Sequence, residues 1–378
     1  MVWTESIVNR GFSIVPSTLR VRRVPRCGPL DLPPVTASAT LMAMGRRSQF
    51  SVVSIALIIL AIVVAAIFLR GGMRCEGFAG PGVTSGELPP PVATGELRIA
   101  TWNLRNFPLD ERPQYTDMGY SRQTNICDLE AVISGLDAHV LGFSEITDAR
   151  RFPPILRRSG GGHRYKIAQS RHGGRSSQRL AIAWDADVLE LVGSPMEIRE
   201  VALTDALRPA FVVTLRRVSD GMEFLVVQLH LKSRREGYAT RMEQHRALIG
   251  WLVEWNAETG GQNVIVMGDF NTVGSQQSKA RQERRQVDAI YADIGLVRLP
   301  NITGCSEYWE GGGAADGVQV PSLIDLVYIR GFEDPVPDAR SWLHCKRAGC
   351  NQLVSREGEE DGTFWDVSDH CPVTFEIP

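Results

Sequence analysis

One uncharged apolar run constrains the fold of this chain more than any other feature of its sequence. The run extends over the 19 residues from Ser51 to Leu69, and a helix of that length nearly spans the ~30 Å hydrocarbon layer of a membrane. Because the run is apolar on every side, it suits lipid better than a core helix with one polar face. A poor cleavage site before Arg70 favours an uncleaved anchor over a secretory signal peptide. The sequence therefore predicts one transmembrane helix at residues 51–69.

The residues on the two sides of this run differ in charge. The N-terminal side is rich in arginine, whereas the residues that follow the run balance arginine against glutamate. Since positive residues stay in the cytoplasm, we expect residues 1–50 to lie inside and the C-terminal domain to lie on the extracytoplasmic side. Residues 1–43 show no sustained period, so we expect them to be disordered, or untranslated if translation starts at Met42 or Met44.

The residues after the membrane run separate into a linker and a domain. Glycine and proline are frequent in residues 70–95, which predicts an extended tether, and a catalytic domain is expected at residues 96–378. Nine of the 41 basic residues but only two of the 43 acidic residues fall within residues 1–74, so the rest of the chain is acidic. That balance excludes a uniformly basic protein that coats nucleic acid.

The cysteines also distinguish the two sides of the run. Six of the seven cysteines follow it, which is typical of an oxidising compartment where disulfides persist. Six cysteines allow many pairings, and the sequence does not select one. A zinc site is an alternative use of His344, Cys345, Cys350 and Cys371, although their spacing matches no two-plus-two zinc pattern.

Eight short β-type runs recur after the linker, each ending in polar residues. They are Leu97 to Trp102, His139 to Phe143, Leu180 to Trp184, Ala210 to Leu215, Phe224 to Leu229, Asn263 to Met267, Leu323 to Ile329 and Pro372 to Ile377. Helical periodicity is found at Asn125 to Leu136 and at Ala239 to Trp255. Because other strand pairs have no helix between them, the pattern predicts an α/β fold of four layers, a sandwich of two packed mixed β-sheets flanked by helices.

Acceptor and proton-transfer residues lie at or near the ends of these runs, where a rigid scaffold presents side chains to a cleft. They are Asn103, Glu145, His230, Asp269, Asn271, Asp325, Asp369 and His370. Carboxylate and amide oxygens suit a hard cation such as Mg²⁺ or Mn²⁺, and a histidine paired with an aspartate can transfer protons or balance phosphate charge. Taken singly, an aspartate after a strand is explained as a turn or a cap, and a histidine as a solvated residue or one hydrogen-bonded in the core. Together they supply what metal-assisted attack on a phosphodiester requires.

The order of these residues resembles the motif order of the endonuclease/exonuclease/phosphatase superfamily, the deoxyribonuclease I-like fold. The matching segments are Thr101-Trp102-Asn103-Leu104-Arg105, Gly142-Phe143-Ser144-Glu145, Leu229-His230-Leu231-Lys232-Ser233, Gly268-Asp269-Phe270-Asn271, Ile324-Asp325-Leu326-Val327-Tyr328 and Ser368-Asp369-His370. The resemblance covers Leu97 to Ile377. It is specific for the fold and the geometry of the site, but the superfamily acts on several classes of phosphate ester.

The resemblance implies roles for the metal ligands and for the residues around the attacking water. Glu145 would hold the divalent metal with the help of Asn103 and Asp369. Asp269 would orient or deprotonate the attacking water, and Asn271 would hydrogen-bond that water or the phosphoryl oxygens. The expected reaction is metal-dependent hydrolysis of a P–O bond without a covalent intermediate.

The resemblance also implies roles for two histidines. His230 would stabilise the phosphate or transfer a proton, and His370 would do likewise with Asp325 fixing its tautomer. The deoxyribonucleases pair the first histidine with a glutamate. This chain has Gln178 at that position, which leaves His230 without an evident carboxylate partner.

A basic segment indicates the substrate. Residues 149–182 carry nine basic residues and no acidic residue. We expect Arg105, Arg171, Arg175 and Arg179 to bind a polyanion backbone beside the metal. The segment from Asn103 to Phe107 also looks more like the deoxyribonuclease branch than the lipid phosphatases. The sequence therefore predicts an endonuclease whose partner is nucleic acid, DNA before RNA, and nothing in it implies a protein partner.

Two other functions stay open at this point. The basic segment could meet anionic lipid headgroups, since the protein is predicted to be tethered, and the substrate would then be a phospholipid or another phosphate ester. An apolar hairpin is expected of a phospholipid enzyme, and the only candidate is Tyr308-Trp309 beside three glycines. The third function is a binding module that has lost catalysis, which is disfavoured because no metal or histidine position is missing.

Overall fold

The computed structural model describes residues 83, 85–108, 123–261, 263–309, 318–332, 336–354 and 362–378. The predicted transmembrane helix and most of the predicted tether lie outside these residues. Among the helices of the described residues, none is both long enough and apolar enough to span a membrane.

The described residues contain fifteen strands and six α-helices. The strands are β1 (Leu97–Phe107), β2 (Val140–Ile146), β3 (Tyr165–Gln169), β4 (Arg179–Asp185), β5 (Leu189–Ile198), β6 (Ala210–Arg217), β7 (Glu223–His230), β8 (Val264–Asp269), β9 (Val297–Arg298), β10 (Glu307–Trp309), β11 (Val318–Ser322), β12 (Asp325–Arg330), β13 (Arg340–Ser341), β14 (Leu353–Val354) and β15 (Val373–Ile377). The helices are α1 (Ile126–Leu136), α2 (Phe152–Arg158), α3 (Tyr238–Thr259), α4 (Ala280–Ala292), α5 (Leu343–Ala348) and α6 (Gly362–Asp366). All eight predicted strands and both predicted helices are present.

Two six-stranded mixed sheets form the centre of the fold. The first sheet has the order β13-β15-β1-β2-β4-β3, and the second has the order β5-β6-β7-β8-β12-β9. Each sheet contains one parallel pair, β1 with β2 and β7 with β8, among antiparallel neighbours. A parallel pair needs a crossover connection, which α1 supplies in the first sheet and α3 in the second.

Three apolar cores hold the layers together. Ile99 and Ile182 of the first sheet pack between the sheets with Val226 and Met267 of the second. Because side chains alternate along a strand, Trp102 of β1 faces the other way, into the core that α1 and α2 cover. A third core lies between the outer face of the second sheet and helices α3 and α4. The layers are therefore helix, sheet, sheet and helix, and the predicted four-layer sandwich is confirmed.

A polar cluster lies between the two sheets. Gln228 of β7 is fully buried, and its side-chain nitrogen donates to the hydroxyls of Thr101 and Ser144, at 3.1 Å each. These bonds satisfy a buried amide that would otherwise destabilise the core. Gly142 packs directly against it, since a Cβ at this position would lie 2.1 Å from Gln228 Oε1. Glycine at 142 therefore allows the close approach of the two sheets.

The folded domain begins before Glu96, the boundary predicted from the sequence. Arg347 donates to the carboxylate of Glu87 at 2.8 Å, and Arg98 donates to the carbonyl of Pro90 at 2.6 Å. Both bonds fasten residues of the predicted tether to the domain. The last residues of that tether therefore belong to the packed structure.

Disulfides join the segments around the small sheet of β10, β11 and β14. Cys305 is bonded to Cys350, and Cys345 is bonded to Cys371. Cys127 is disulfide-bonded as well. Because sulfur in a disulfide is not available as a thiolate, the alternative of a zinc site with Cys345, Cys350 and Cys371 is wrong.

Candidate active site

The carboxyl ends of the two parallel strand pairs meet at one edge of the sandwich. Asn103, on β1, donates from Nδ2 to Asp269 Oδ2 on β8 at 3.1 Å, which joins the first sheet to the second. His230 Nε2, at the end of β7, lies 3.5 Å from Glu145 Oε1, near the end of β2. The strand ends predicted from the sequence to carry the chemistry are thus brought into one cluster.

Asp269 lies at the centre of this cluster. Its Oδ1 accepts the backbone N–H of Asn271 at 2.8 Å, and His230 Nε2 lies 3.5 Å from its Oδ2. Burial, reinforced by the neighbouring charge of Asp325, raises the pKa of Asp269. A carboxylate with a raised pKa and a fixed orientation can take a proton from water.

Glu145 occupies a strained position beside it. Its backbone has φ of 63°, in the left-handed region that non-glycine residues rarely adopt. Its Oε2 accepts the backbone N–H of Asn106 at 2.8 Å. Burial raises the pKa of Glu145, and the charge of Asp369 raises it further. Although the charges of His370 and Arg208 lower that pKa, a buried carboxylate with Asp369 beside it favours a cation at the site.

His370 and Asp325 form a buried pair. His370 Nδ1 lies 2.8 Å from Asp325 Oδ2, and β12 sets Asp325 directly opposite Asp269 in the register. Ligand atoms of Asp269, Asp325 and His370 all lie within 4.8 Å of one another. Burial alone would lower the pKa of His370, but the charge and hydrogen bond of Asp325 outweigh it and hold that pKa well above its usual value. The pairing with Asp325 therefore favours the protonated form of His370.

His230 differs from His370 in charge. Burial, helped by the positive charges of Arg208 and His370, holds the pKa of His230 well below its usual value. Its Nδ1 is buried and has no hydrogen-bond partner among the described residues. Gln178, which stands where the deoxyribonucleases have a glutamate, donates instead to Asn106 Oδ1 at 2.7 Å. The lowered pKa therefore favours the neutral form of His230, and its Nε2 is the atom that approaches Glu145 and Asp269.

The remaining two predicted residues also lie at this edge. Asn271 Nδ2 donates to the carbonyl of Leu231 at 3.2 Å, which fixes the turn after β8. Asp369 precedes His370, and its charge acts on Glu145. The structure thus brings together all eight side chains that the sequence analysis selected for metal binding and catalysis.

Two further charged residues at the site were not predicted. Arg208 is buried, donates from Nε to the carbonyl of His230 at 3.0 Å, and acts electrostatically on Glu145 and Asp269. Glu307, on β10, places Oε1 3.8 Å from His370 Nε2, and burial raises its pKa to about 7. No motif marks either residue, since both reach the site through contacts between segments distant in sequence.

Arg105 is predicted from the sequence to bind substrate. Its side chain is buried, with Nη1 donating to the carbonyl of Phe364 at 2.8 Å and Nη2 donating to the carbonyl of Trp365. The backbone φ values of Arg105 and Asn106 are 44° and 57°, so the chain bends after Asn103 and turns this side chain inward. The guanidinium fastens the segment before Ser368, and these contacts give no support to the prediction that Arg105 binds substrate.

The other three predicted substrate-binding arginines lie on the loop between β3 and β4 and at the start of β4. Arg171 and Arg175 are exposed, and Arg179 is half-buried. Arg171 and Arg179 line a cleft next to the cluster, whereas Arg175 is not part of its lining.

Comparison with known proteins defines the class of the chain. A family model described as the Endonuclease/Exonuclease/phosphatase family matches residues 100–370. The chain therefore belongs to this family of phosphoester hydrolases. Curated protein sequences give no match.

Several solved structures are similar to this chain at low sequence identity. The catalytic domain of human Nocturnin with bound sulfate is 16% identical, with a TM-score of 0.49, over 75% of this chain and 94% of that one. Truncated TDP2 from Caenorhabditis elegans is 17% identical, with a TM-score of 0.49, over 75% and 98%. A mannosyl-6-phosphatase from Bacteroides thetaiotaomicron is 18% identical, with a TM-score of 0.48, over 75% and 99%. No substrate is assigned from these structures.

Proposed function

We propose that this protein is a divalent-metal-dependent phosphodiesterase, a membrane-tethered endonuclease like deoxyribonuclease I that cuts nucleic acid, DNA in particular. The observation that carries the proposal is the convergence of Glu145, Asp269 and His370 from both sheets at one edge of the sandwich. Such a site provides a cation ligand, a base for water and a protonated histidine in one place.

The donor set fits Mg²⁺ or Mn²⁺. Glu145 would hold the cation with Asn103 and Asp369, and oxygen ligands of this kind are those that hard cations prefer. Within the described residues, no lysine or arginine forms a salt bridge with Glu145. A bound cation would therefore offset the cost of burying the negative charge, which is what raises the pKa of Glu145. Asn103 Oδ1 accepts the backbone N–H of Arg105 at 3.0 Å, which leaves its second lone pair for an ion. A cation bound there would balance charge that develops on the phosphoryl oxygens.

The protein's own residues supply the proton transfers. Asp269, oriented by Asn271 and Asn103, takes a proton from the water that attacks phosphorus. The P–O bond breaks as His370 Nε2–H stabilises the phosphoryl charge or protonates the leaving oxygen. Asp325 keeps the proton of His370 on the ring and sets the ring's orientation.

Charge outside the cluster supports nucleic acid as the substrate. Arg171 and Arg179 line a cleft beside the cluster, where they are placed to contact a polyanion backbone. The alternative of a phospholipid substrate has less support, because Tyr308, in the candidate apolar hairpin, is fully buried. A binding module without catalysis is less favoured as well, since all eight predicted side chains are present and adjacent.

The membrane anchor and the extracytoplasmic location are part of the same proposal. They rest on the apolar run at residues 51–69 and the arginines before it. The two disulfides, Cys305 to Cys350 and Cys345 to Cys371, support a domain outside the cytoplasm, because disulfides persist in oxidising compartments.

The full chain should nick supercoiled plasmid DNA in the presence of Mg²⁺ or Mn²⁺. A chelator and the variant His370→Ala should each abolish nicking. Sphingomyelin vesicles and p-nitrophenyl phosphate, assayed in parallel, test the other phosphate esters. Hydrolysis of either of these without nicking would reject the nuclease and assign the site to the alternative substrates.

A further inference from the structure

A cleft of about 470 Å³ opens beside the catalytic cluster. Its walls are residues 171–179, around the start of β4, and residues 199–209, before β6. Three arginines line it, Arg171, Arg179 and Arg199, together with one carboxylate, Asp205, which is fully exposed. The cleft is thus a concentration of positive charge in a domain that is acidic.

The walls of this cleft are held by specific contacts. Glu197 Oε1 accepts the backbone N–H groups of Arg171 and His172, at 2.5 and 2.9 Å, and Glu197 Oε2 lies 2.6 Å from His172 Nδ1. The backbone N–H of Arg175 donates to the carbonyl of Ala206 at 3.1 Å, which joins the two walls. These contacts make the cleft a formed feature of the domain.

The inner end of the cleft lies next to the catalytic cluster on both walls. Ser177 and Leu207 line the cleft, and the residue that follows each of them, Gln178 or Arg208, contacts the residues around the cluster: Gln178 donates to Asn106 at 2.7 Å. Gln178, after Ser177, accepts from Arg208, after Leu207, at 2.6 Å. Arg208 also donates to the carbonyl of His230. A polymeric substrate bound across the Gln178–Arg208 pair would therefore have one end at the cluster and the other end in the cleft.

We propose that this cleft binds a second backbone phosphate of the nucleic-acid strand whose scissile phosphate lies at the catalytic cluster. The planar forks of Arg171 and Arg199 match phosphate oxygens in geometry and charge. The only apolar lining is Ala202, Leu207 and Pro209, which is too little to accommodate an acyl chain. This inference rests on the proposed nuclease function, to which it adds that the substrate must carry phosphates on both sides of the Gln178–Arg208 pair.

Binding without hydrolysis tests the cleft separately from catalysis. The full chain, its Arg171→Gln/Arg199→Gln variant and the control Arg216→Gln are titrated with a fluorescently labelled single-stranded DNA oligonucleotide in chelator. Arg216 lies at the far end of β6 and pairs with glutamates there, so this control removes one arginine charge at a distant surface. The cleft variant should bind about tenfold more weakly at low salt, while the control binds like the unmodified chain.

The salt dependence of binding gives a second readout. The slope of log K against log salt should become shallower by about 0.7 for each phosphate contact that the variant loses. An unchanged affinity and slope in the cleft variant would overturn the proposal. The proposal would also be overturned if the cleft variant still binds the oligonucleotide but no longer binds vesicles of anionic phospholipid. That result would assign the cleft to headgroup phosphates.

Hydrolysis by the same proteins relates the cleft to catalysis. The ratio of kcat/KM for the oligonucleotide to kcat/KM for bis(p-nitrophenyl) phosphate, which has a single phosphate, should fall about tenfold in the cleft variant and stay constant in Arg216→Gln. An unchanged ratio contradicts the proposal. If the unmodified chain cuts neither substrate, the proposed function fails, and the binding experiment still decides whether the cleft holds nucleic acid.

Discussion

The buried ion pair between Arg241 of α3 and Glu283 of α4 fastens two loops beside the candidate active site. Both side chains are fully buried, with Nε to Oε1 at 2.6 Å and Nη2 to Oε2 at 2.9 Å. Arg241 Nη1 donates to the carbonyls of Lys232 and Arg234, in the loop after β7, at 2.9 and 2.6 Å. Glu283 accepts the backbone N–H of Gly274, in the loop after β8, at 2.6 Å. One pair thus fixes the segments that follow two of the strands of the site.

The Glu283→Gln substitution should be strongly destabilising although it hardly changes the volume of the side chain. It leaves the guanidinium of Arg241 buried without a counter-charge, which lowers the free energy of unfolding by about 3–5 kcal/mol. That is a large fraction of the roughly 5–15 kcal/mol that stabilises a typical protein. The control Glu190→Gln breaks a pair with Arg216 in which the side chains are 54% and 40% exposed, and it should change the free energy of unfolding far less, because solvent screens an exposed pair.

Urea unfolding followed by circular dichroism measures both losses. The double variant Arg241→Met/Glu283→Leu should recover part of the stability, because no charge is then buried unpaired. A loss for Glu283→Gln no larger than that for Glu190→Gln would refute the reasoning, since burial would then have no effect on the contribution of the pair.

Three further predictions concern the site and its support. Asp325→Asn should lower kcat about a hundredfold. It should also shift the alkaline limb of the pH–rate profile to lower pH, because a neutral amide no longer raises the pKa of His370. An unchanged profile would contradict this prediction. Burial opposes ionisation of Asp185, but hydrogen bonds from His163 and backbone amides outweigh it and lower the pKa. The stability that this carboxylate contributes is present above its usual pKa of 3.8 and is lost as pH falls through the lower pKa of the folded state. Asp185→Asn should therefore flatten the acid branch of a curve of unfolding free energy against pH. An equally steep acid branch in the variant would contradict this. Gly142→Ala should lower the free energy of unfolding by about 1–3 kcal/mol through overpacking, as thermal unfolding would measure, and an unchanged melting temperature would contradict it.

The layers of the fold could be predicted because the buried strands are long apolar runs. β8, for example, is buried along its whole length, and its sequence shows this directly. β5 was not predicted, because it lies at a sheet edge and most of its residues are half-buried or exposed. α4 was missed for a similar reason, since only Val287 and Tyr291 of its apolar residues are fully buried among many charges.

The cluster could be predicted in outline because its residues follow strands whose ends must share one edge. Arg208 and Glu307 could not, because each reaches the site through partners from other segments of the chain. The buried position of Arg105 has a local cause: two consecutive residues with positive φ turn its side chain toward backbone carbonyls, and a strand pattern does not show that bend.

The catalytic role of the cluster is tested most directly by Asp269→Ala, measured beside the control Asp187→Ala on whichever phosphoester the unmodified chain hydrolyses. Asp187 is exposed and pairs with Arg164 at the surface. With saturating Mn²⁺, Asp269→Ala should lower turnover by about a hundredfold or more, which is about 2.7 kcal/mol of barrier, while the control keeps full activity and both variants stay folded. Full turnover in Asp269→Ala with an unchanged melting temperature would contradict the assignment of this cluster as the active site.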